Sequence, residues 1–96
     1  MTVYVDDLRI LATIGPYTSR WSHLFTDSED LTELHDFAHS IGLHRSWLQD
    51  TQSGPHYDLT DRLRCRAITA GAQPIAWQNI PTLRRNRRTQ HTGSRP

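Results

Sequence analysis

The sequence predicts a small α/β domain with a single sheet, with α+β as the alternative class. Short runs of β-branched and aromatic residues, such as residues 2–5, are typical of strands, and two longer segments place apolar residues at helical spacing. These patterns follow one another in the order β-β-α-β-α-β. A chain of 96 residues has room for one hydrophobic core.

The first two strands are expected close to the N-terminus. Residues 2–5 form the first, and Asp6 and Asp7 follow at its carboxyl end. Residues 8–19 contain a Gly-Pro pair and no sustained period, so they are predicted to be a loop with at most a short strand at its start. Residues 21–25 are predicted to form the second strand.

The first helix has clear start and end signals. The run Thr26-Asp27-Ser28-Glu29 matches a capping box and predicts a start near Ser28, with Asp27 part of that start. Gly42 followed by Leu43 predicts the end. The apolar positions between these signals recur at spacings of three and four, and they are Leu31, Leu34, Ala38 and Ile41.

The second half of the domain repeats the strand–helix pattern. A short strand is predicted over residues 44–49 and a turn over residues 50–55. Either Asp58 or Thr60 can cap the helix that follows, and Gly71 ends it. Residues 74–77 are predicted to form the closing strand.

Charge divides the chain into a compact domain, residues 1–80, and an Arg-rich tail, residues 81–96. Up to Leu83 there are six Arg against ten Asp and Glu, whereas the remaining five Arg all lie in the tail. The tail has too few apolar side chains to offset the entropy of ordering, so we expect it to be disordered. Its clustered guanidinium groups can contact nucleic-acid phosphates without sequence preference, and they belong to Arg84, Arg85, Arg87 and Arg88.

Several classes of protein are disfavoured by the composition. The single cysteine, Cys65, cannot form an intramolecular disulfide, and the acidic N-terminus does not resemble a signal peptide. No apolar run approaches the length of a membrane span, so a cytoplasmic protein without membrane association is expected. The chain has no phosphate-cradling glycine loop, and no nucleotide cofactor is implied.

Five carboxylate and imidazole side chains are the candidates for a functional site. Such groups bind divalent cations or transfer protons near neutral pH. His56 and Asp58 stand two residues apart beside a Gly-Pro loop, and an Asp can orient an imidazole. Each carboxylate also has a structural alternative, as a turn former or helix cap. The candidate metal ligands are Asp6, Asp7, His23, His56 and Asp58, and four of them, His56, Asp58, Asp6 and His23, are also the candidate catalytic residues.

Two further histidines share a face of the first helix but do not predict a zinc site. His35 and His39 are four residues apart, yet the residue after His35 is Asp36 rather than the Glu of an HExxH motif. We expect His35 to be a half-buried packing residue and His39 to face solvent.

Three stretches in a fixed order carry a resemblance to a known family. They are VYVDD at residues 3–7, WSHLFTDSEDLTELHDFAHSIGL with SWLQ after it, and PHYDLT at residues 55–60. Their combination resembles the domain of unknown function 4031 family, which consists of short bacterial and phage proteins. The resemblance spans Thr2 to about Trp77, excludes the tail and implies no assigned activity. His39, His44 and the loop from Leu8 to Arg20 depart from the family pattern.

Two hypotheses of different classes remain open from the sequence. The first is a small metal- or acid/base-dependent hydrolase or nuclease that uses the five candidates above. The second is a non-catalytic binding or regulatory module that docks on a bacterial host protein. The sequence slightly favours the second, because polar residues without a recognised catalytic motif are more often structural.

The tail should give sharp, random-coil NMR signals from Arg84 to Pro96 in the isolated protein, because its like charges repel one another and it offers little apolar area. A ¹H–¹⁵N correlation spectrum measures this directly. Strong hydrogen-exchange protection in the same stretch would contradict the expectation.

Overall fold

The computed structural model describes residues 2–51 and 54–80. Within these residues the chain forms a six-stranded sheet and two α-helices, so the predicted mixed class with a single sheet is confirmed. The elements in chain order are β1 Val3–Asp6, β2 Ile10–Ile14, β3 Tyr17–Thr26, α1 Thr32–Ser40, β4 Gln49–Thr51, β5 Gly54–Thr60, α2 Asp61–Thr69 and β6 Gln73–Ile75.

The longest strand, β3, organises the sheet. The strand order is β4-β5-β3-β1-β6, and β2 pairs with β3 beyond the end of β1. Among the described strands, β1 and β6 form the one parallel pair. Val5 pairs with Leu24 and Ile10 with Trp21, so residues 6–9 stand against only two residues of β3. The strands β1 and β2 are therefore one long strand interrupted by a bulge.

Both helices pack on the same face of the sheet. Side chains alternate between faces along a strand, and Val5, Leu24 and Tyr57 point toward the helices. Leu34 and Ala38 of α1 belong to the same buried cluster, as does Ala67 of α2. The alternate side chains of β1, β3 and β5 therefore occupy the opposite face, which we call the open face.

The predicted loop over residues 8–19 is a β-hairpin. Ile14 pairs with Tyr17, and the two residues between them form the turn. Gly15 has a positive φ of 59°, which suits the first central position of a tight hairpin turn. The loop prediction was wrong because β2 is exposed on both faces, so burial imposes no alternation on its sequence.

The start of α1 also differs from the prediction. The predicted capping box does not mark the start of the helix, because α1 begins at Thr32 and its N-cap residue, Leu31, makes no side-chain cap. A series of local turns precedes it, in which Asp30 Oδ1 accepts a hydrogen bond from the Thr32 amide. The predicted end is confirmed, because the amides of Gly42 and Leu43 donate to His39 and Ala38 in a Schellman motif.

The elements after α1 are shifted from their predicted positions. A 3₁₀ turn over Arg45–Trp47 and then β4 replace the strand predicted for residues 44–49. The strand β5 already begins at Gly54, so His56 and Asp58 lie on a strand and not in a loop. The order therefore gains two strands over the prediction, and β6 occupies Gln73–Ile75. The tail, predicted to be disordered, lies outside the described residues.

Both termini of α2 agree with the sequence. Of the two residues proposed to cap its N-terminus, Thr60 is the one that does so, since its side chain accepts a hydrogen bond from the Leu63 amide. The amides of Gly71 and Ala72 close the helix as a second Schellman motif. Neither described helix has the length and apolar character needed to cross a bilayer.

The face of α1 that contacts the sheet should dominate stability. Leu34 has no exposed area, so Leu34→Ala should lower the free energy of unfolding by about 2–5 kcal/mol through lost burial and a residual cavity. Urea denaturation followed by circular dichroism measures the change. Leu11→Ala is the matched control, because Leu11 is 65 % exposed and its truncation should change stability by less than about 0.5 kcal/mol. Equal effects of the two substitutions would contradict this core assignment.

Candidate functional site

Four of the five predicted site residues meet on the open face. His23 of β3 pairs directly with Asp58 of β5, so their side chains project from the same face. His56 lies two residues before Asp58 on the same face of β5. Asp6 lies on β1, which neighbours β3 on the side opposite β5. We call His23, His56 and Asp58 the ligand cluster, because one donor atom from each lies within 4.8 Å of the others.

Asp6 holds His23 in place. The Asp6 side chain is fully buried and its Oδ2 lies 2.7 Å from His23 Nδ1. Its Oδ1 accepts hydrogen bonds from the backbone amides of His23 and Leu8. A carboxylate can only accept in this contact, so Nδ1 of His23 carries the hydrogen and Nε2 of the neutral ring has the free lone pair.

His56 is also oriented by a hydrogen bond at its Nδ1, with a backbone carbonyl as the acceptor. Its Nδ1 lies 2.9 Å from the backbone carbonyl oxygen of Gly54. A carbonyl cannot donate, so Nδ1 of His56 also carries the hydrogen and leaves the lone pair on Nε2. The two imidazole rings meet edge to face, with centroids 4.8 Å apart. Both histidines thus present the same nitrogen to the same region.

Asp58 is the carboxylate toward which both free nitrogens point. Its Oδ1 lies 3.5 Å from Nε2 of His56 and 3.8 Å from Nε2 of His23. When His56 is protonated, its Nε2–H donates to Asp58, and this hydrogen bond lowers the pKa of Asp58 against the effect of burial. The Asp58 carboxylate in turn raises the pKa of His56. The cluster is partly accessible, with exposed side-chain fractions of 33 % for His23 and 29 % for Asp58.

These distances suit a single metal ion. A tetrahedral ion with bonds of about 2.1 Å separates its donor atoms by about 3.4 Å. The two separations from Asp58 Oδ1, 3.5 and 3.8 Å, are close to that value, whereas the donor atoms of the whole cluster lie within 4.8 Å of one another, so the two imidazole nitrogens would move closer together to hold an ion. Two imidazole nitrogens and one carboxylate oxygen are also the donor set of several catalytic metal sites, which keep further positions open.

The fifth predicted ligand, Asp7, is not brought to the cluster. It follows the end of β1, and its Oδ1 accepts a hydrogen bond from the backbone amide of Trp77 at 2.8 Å. This contact ties the bulge to the segment after β6. Asp27 is not at the start of α1 either, because it accepts hydrogen bonds from the Thr2 amide and the Tyr4 hydroxyl.

The two helix histidines lie on the other side of the sheet. Nδ1 of His35 is 2.8 Å from the hydroxyl oxygen of the buried Tyr57, so His35 is a partly buried packing residue. His39 is exposed. Both therefore match the roles expected for them, and neither approaches the ligand cluster.

The comparisons with known proteins give the chain a family but no activity. A family model described as "Protein of unknown function (DUF4031)" matches residues 3–88, so the match extends past Trp77 into the tail, and the expectation that the resemblance excludes the tail was wrong. The chain belongs to this family. The match covers every residue of the ligand cluster and also Asp6, so the cluster lies within the region that defines the family. No curated protein and no solved structure matches the chain.

Sequence reasoning missed three contacts of the site in this family member, and the first two had no signal in the sequence. The role of Gly54 depends on its carbonyl group rather than its side chain, and Arg64 Nε donates to the backbone carbonyl of Asp6 from α2. The third is the pairing of His23 with Asp58, which depends on strand register. Such pairing is set by which residues are buried, and that pattern could have indicated it.

The His56–Asp58 contact predicts a pH dependence for the metal-free protein. The raised pKa of His56 contributes stability that is complete below the unfolded value of 6.5 and is lost as the pH rises through the folded pKa. The lowered pKa of Asp58 contributes above 3.8 and is lost as the pH falls through its folded pKa. The contact therefore stabilises the fold most between the two unfolded pKa values, 3.8 and 6.5.

In EDTA, the free energy of unfolding should decline between pH 6 and 8 more steeply for the wild type than for His56→Gln, as measured by urea denaturation. His39→Gln is the matched control, because His39 is exposed and outside the cluster. It should keep the wild-type slope. Identical slopes for the wild type and His56→Gln would show that the contact does not form in solution.

Proposed function

We propose that the protein is a small metal-dependent hydrolase whose single divalent ion is held by His23, His56 and Asp58. The observation that carries this proposal is the orientation of the two imidazoles: each Nδ1 is already hydrogen-bonded, and each Nε2 is directed at Asp58 Oδ1. A divalent ion between these atoms would bind both imidazole nitrogens and the carboxylate oxygen at once. Asp6 is then a positioning residue, as in the carboxylate–histidine–metal arrangement.

The donor set favours a transition ion over Mg²⁺ or Ca²⁺. Imidazole nitrogen suits zinc, iron and related ions, whereas magnesium and calcium prefer oxygen donors. Three protein ligands leave at least one coordination position for water. The partial exposure of His23 and Asp58 gives solvent a route to that position.

The residues can support hydrolysis with water as the only co-reactant. A bound divalent ion acts as a Lewis acid and lowers the pKa of a coordinated water. Asp58 faces the imidazoles through Oδ1, which leaves Oδ2 to accept the proton that water loses. The water oxygen bonds to the electrophilic centre, the bond to the leaving group breaks, and the leaving group takes up a proton. Asp6, through its contact with Nδ1, would keep Nε2 of His23 available to hold the ion.

A non-catalytic binding module is the second candidate, and one observation favours it. The β2–β3 hairpin exposes several apolar side chains, which is typical of an interaction surface. These are Ile10, Leu11, Ile14 and Tyr17. The two candidates make opposite predictions for the ligand cluster, since a docking function of the hairpin would not change when His56 and Asp58 are replaced.

Metal binding should raise the stability of the folded protein. At 100 times its dissociation constant, Zn²⁺ should add about 2.7 kcal/mol to the free energy of unfolding, because the native state alone brings the three ligands together. Mn²⁺ should act in the same direction, and Mg²⁺ at equal concentration should not. Differential scanning calorimetry with each ion, against a metal-free baseline, measures the shift in Tm.

The double variant His56→Ala/Asp58→Ala should lose the zinc-dependent shift and keep its fold by circular dichroism. His39→Ala, which removes an exposed histidine outside the cluster, is the matched control and should respond as the wild type does. If Zn²⁺ leaves the wild-type transition unchanged, or if the double variant still responds, the proposed metal site is wrong and the binding module becomes the better candidate.

A further inference from the structure

The outer edge of β2 presents free backbone groups. Ile14 and Tyr17 flank a two-residue turn, so they form a hydrogen-bonded pair of the antiparallel ladder, and such pairs alternate along it. Leu11 and Thr13 are therefore the residues of β2 whose N–H and C=O groups point away from β3. The hydroxyl oxygens of Thr13 and Thr18 lie 2.8 Å apart, as expected for a pair without ladder hydrogen bonds. Within residues 2–51 and 54–80, no strand pairs with this outer edge.

The β2 edge lacks the features that normally keep a sheet edge from pairing. Among the described strands, β4 and β6 are the two ends of the strand order. Each has three residues, which include Asp50 in β4 and Pro74 in β6. Short length, charge and proline all disfavour pairing with a further strand. In contrast, β2 has five residues with neither charge nor proline, and four of the five are exposed, so its edge is open to a further strand.

Two copies of β2 are complementary to one another in antiparallel register. With Ala12 opposite Ala12 of the second copy, Leu11 lies opposite Thr13 and Thr13 opposite Leu11. Both pairs then bring together residues whose free N–H and C=O groups face each other, so each pair can exchange both hydrogen bonds. The central pair makes no hydrogen bonds, and its Cα atoms approach to about 4.5 Å, which suits the small side chain of Ala12.

The same register pairs apolar side chains. Ile10 and Ile14 lie on the open face, because they pair with Trp21 and Tyr17 of β3. In the register centred on Ala12, Ile10 lies opposite Ile14 of the second copy, and the symmetry repeats this pair. The two residues are 52 % and 47 % exposed in a single chain, so the contact covers apolar surface that would otherwise face water.

Charge does not oppose the contact. No residue of β2 is ionisable, and Arg9, which precedes it, forms an ion pair with Asp61 at 2.7 Å. Arg20 of β3 would be separated from Arg20 of the second copy by both β2 strands, about 14 Å, which exceeds the Debye length of about 8 Å at physiological salt. Backbone groups, side chains and charge therefore all favour a second copy of this chain as the occupant of the edge.

We propose that β2 pairs with β2 of a second copy, antiparallel about a twofold axis at Ala12, and that the protein is a dimer with one continuous sheet. A twofold contact uses the same surface of both copies, which antiparallel pairing of a strand with itself provides. Opposite side chains of a pair lie on the same face, so both ligand clusters face the same side of the joined sheet. The contact uses no residue of the ligand cluster and does not depend on the proposed hydrolase. Interfaces below about 1,200 Å² are mostly transient, so an edge of five residues should give a reversible dimer.

Sedimentation equilibrium of the full chain in EDTA, from about 10 µM to about 1 mM, tests the association without a bridging metal ion. The average mass should rise with concentration from 11.1 kDa toward twice that value. A mass that stays at 11.1 kDa over the whole range overturns the proposal.

Paired charges test the register. Ile10→Lys/Ile14→Lys and Ile10→Glu/Ile14→Glu should each be monomeric alone, because like charges then oppose one another across the axis. An equimolar mixture of the two variants should recover the dimer mass, which a misfolded hairpin could not do. Trp47→Lys is the matched control, because Trp47 is 51 % exposed and lies outside β2, and it should associate as the wild type does. A mixture that stays monomeric, or an equal loss of association in Trp47→Lys, contradicts this register.

Amide hydrogen exchange followed by NMR identifies the edge directly. The amides of Leu11 and Thr13 should exchange more slowly as the wild-type concentration rises, whereas those of Ile10 and Ile14 bond to β3 in either state and should change less. If the mass doubles while Leu11 and Thr13 exchange at unchanged rates, another surface holds the dimer. Protection of these two amides at every concentration would mean that the edge is covered within one chain. Either result overturns the proposal and leaves the metal site untouched.

Discussion

The buried carboxylate of Asp6 is the group on which the local structure of the site depends. A carboxylate with no exposed area is costly unless donors surround it, and here two backbone amides and one imidazole do so. One of those amides belongs to Leu8 in the bulge and another to His23 in β3. The same side chain therefore fixes the point at which β1 gives way to the bulge and the direction in which His23 points.

The bulge between β1 and β2 places two of its side chains against distant segments of the chain. A regular strand running from Val3 to Ile14 would continue the β1 ladder without interruption. The extra residues at 6–9 instead let Asp7 reach the Trp77 amide and Arg9 reach Asp61. Arg9 has a positive φ of 49°, an uncommon conformation for a residue with a side chain, and its contacts with Asp61 and Ser22 hold it there.

Local patterns in the sequence were enough to predict the fold class and the C-terminal ends of both helices. The strand positions and the grouping of the site residues depend on long-range pairing. Gly42 and Gly71 end helices for reasons that depend only on their neighbours, so both were predicted correctly. The hairpin around Gly15 was missed because β2 has no buried face to give it a period. His23, His56, Asp58 and Asp6 were chosen by residue type, but it is the register of β3 against β5 that places His23 beside Asp58, and the pairing of β1 with β3 that brings Asp6 to His23. Asp7 has the same chemistry as Asp6 and a different location, which residue type cannot reveal.

The two halves of β3 have different neighbours and should differ in local stability. Among the described strands, its first residues, Tyr17 to Arg20, pair only with β2, whereas residues 21–24 pair with β5 and residues 24–26 pair with β1, under the helices on one face. Opening of the hairpin therefore exposes little apolar area that the core depends on. The hairpin can unfold locally, as a region of low stability, while the part of the domain that contains the ligand cluster stays folded. A ligand that touches both regions would join them into one cooperative unit.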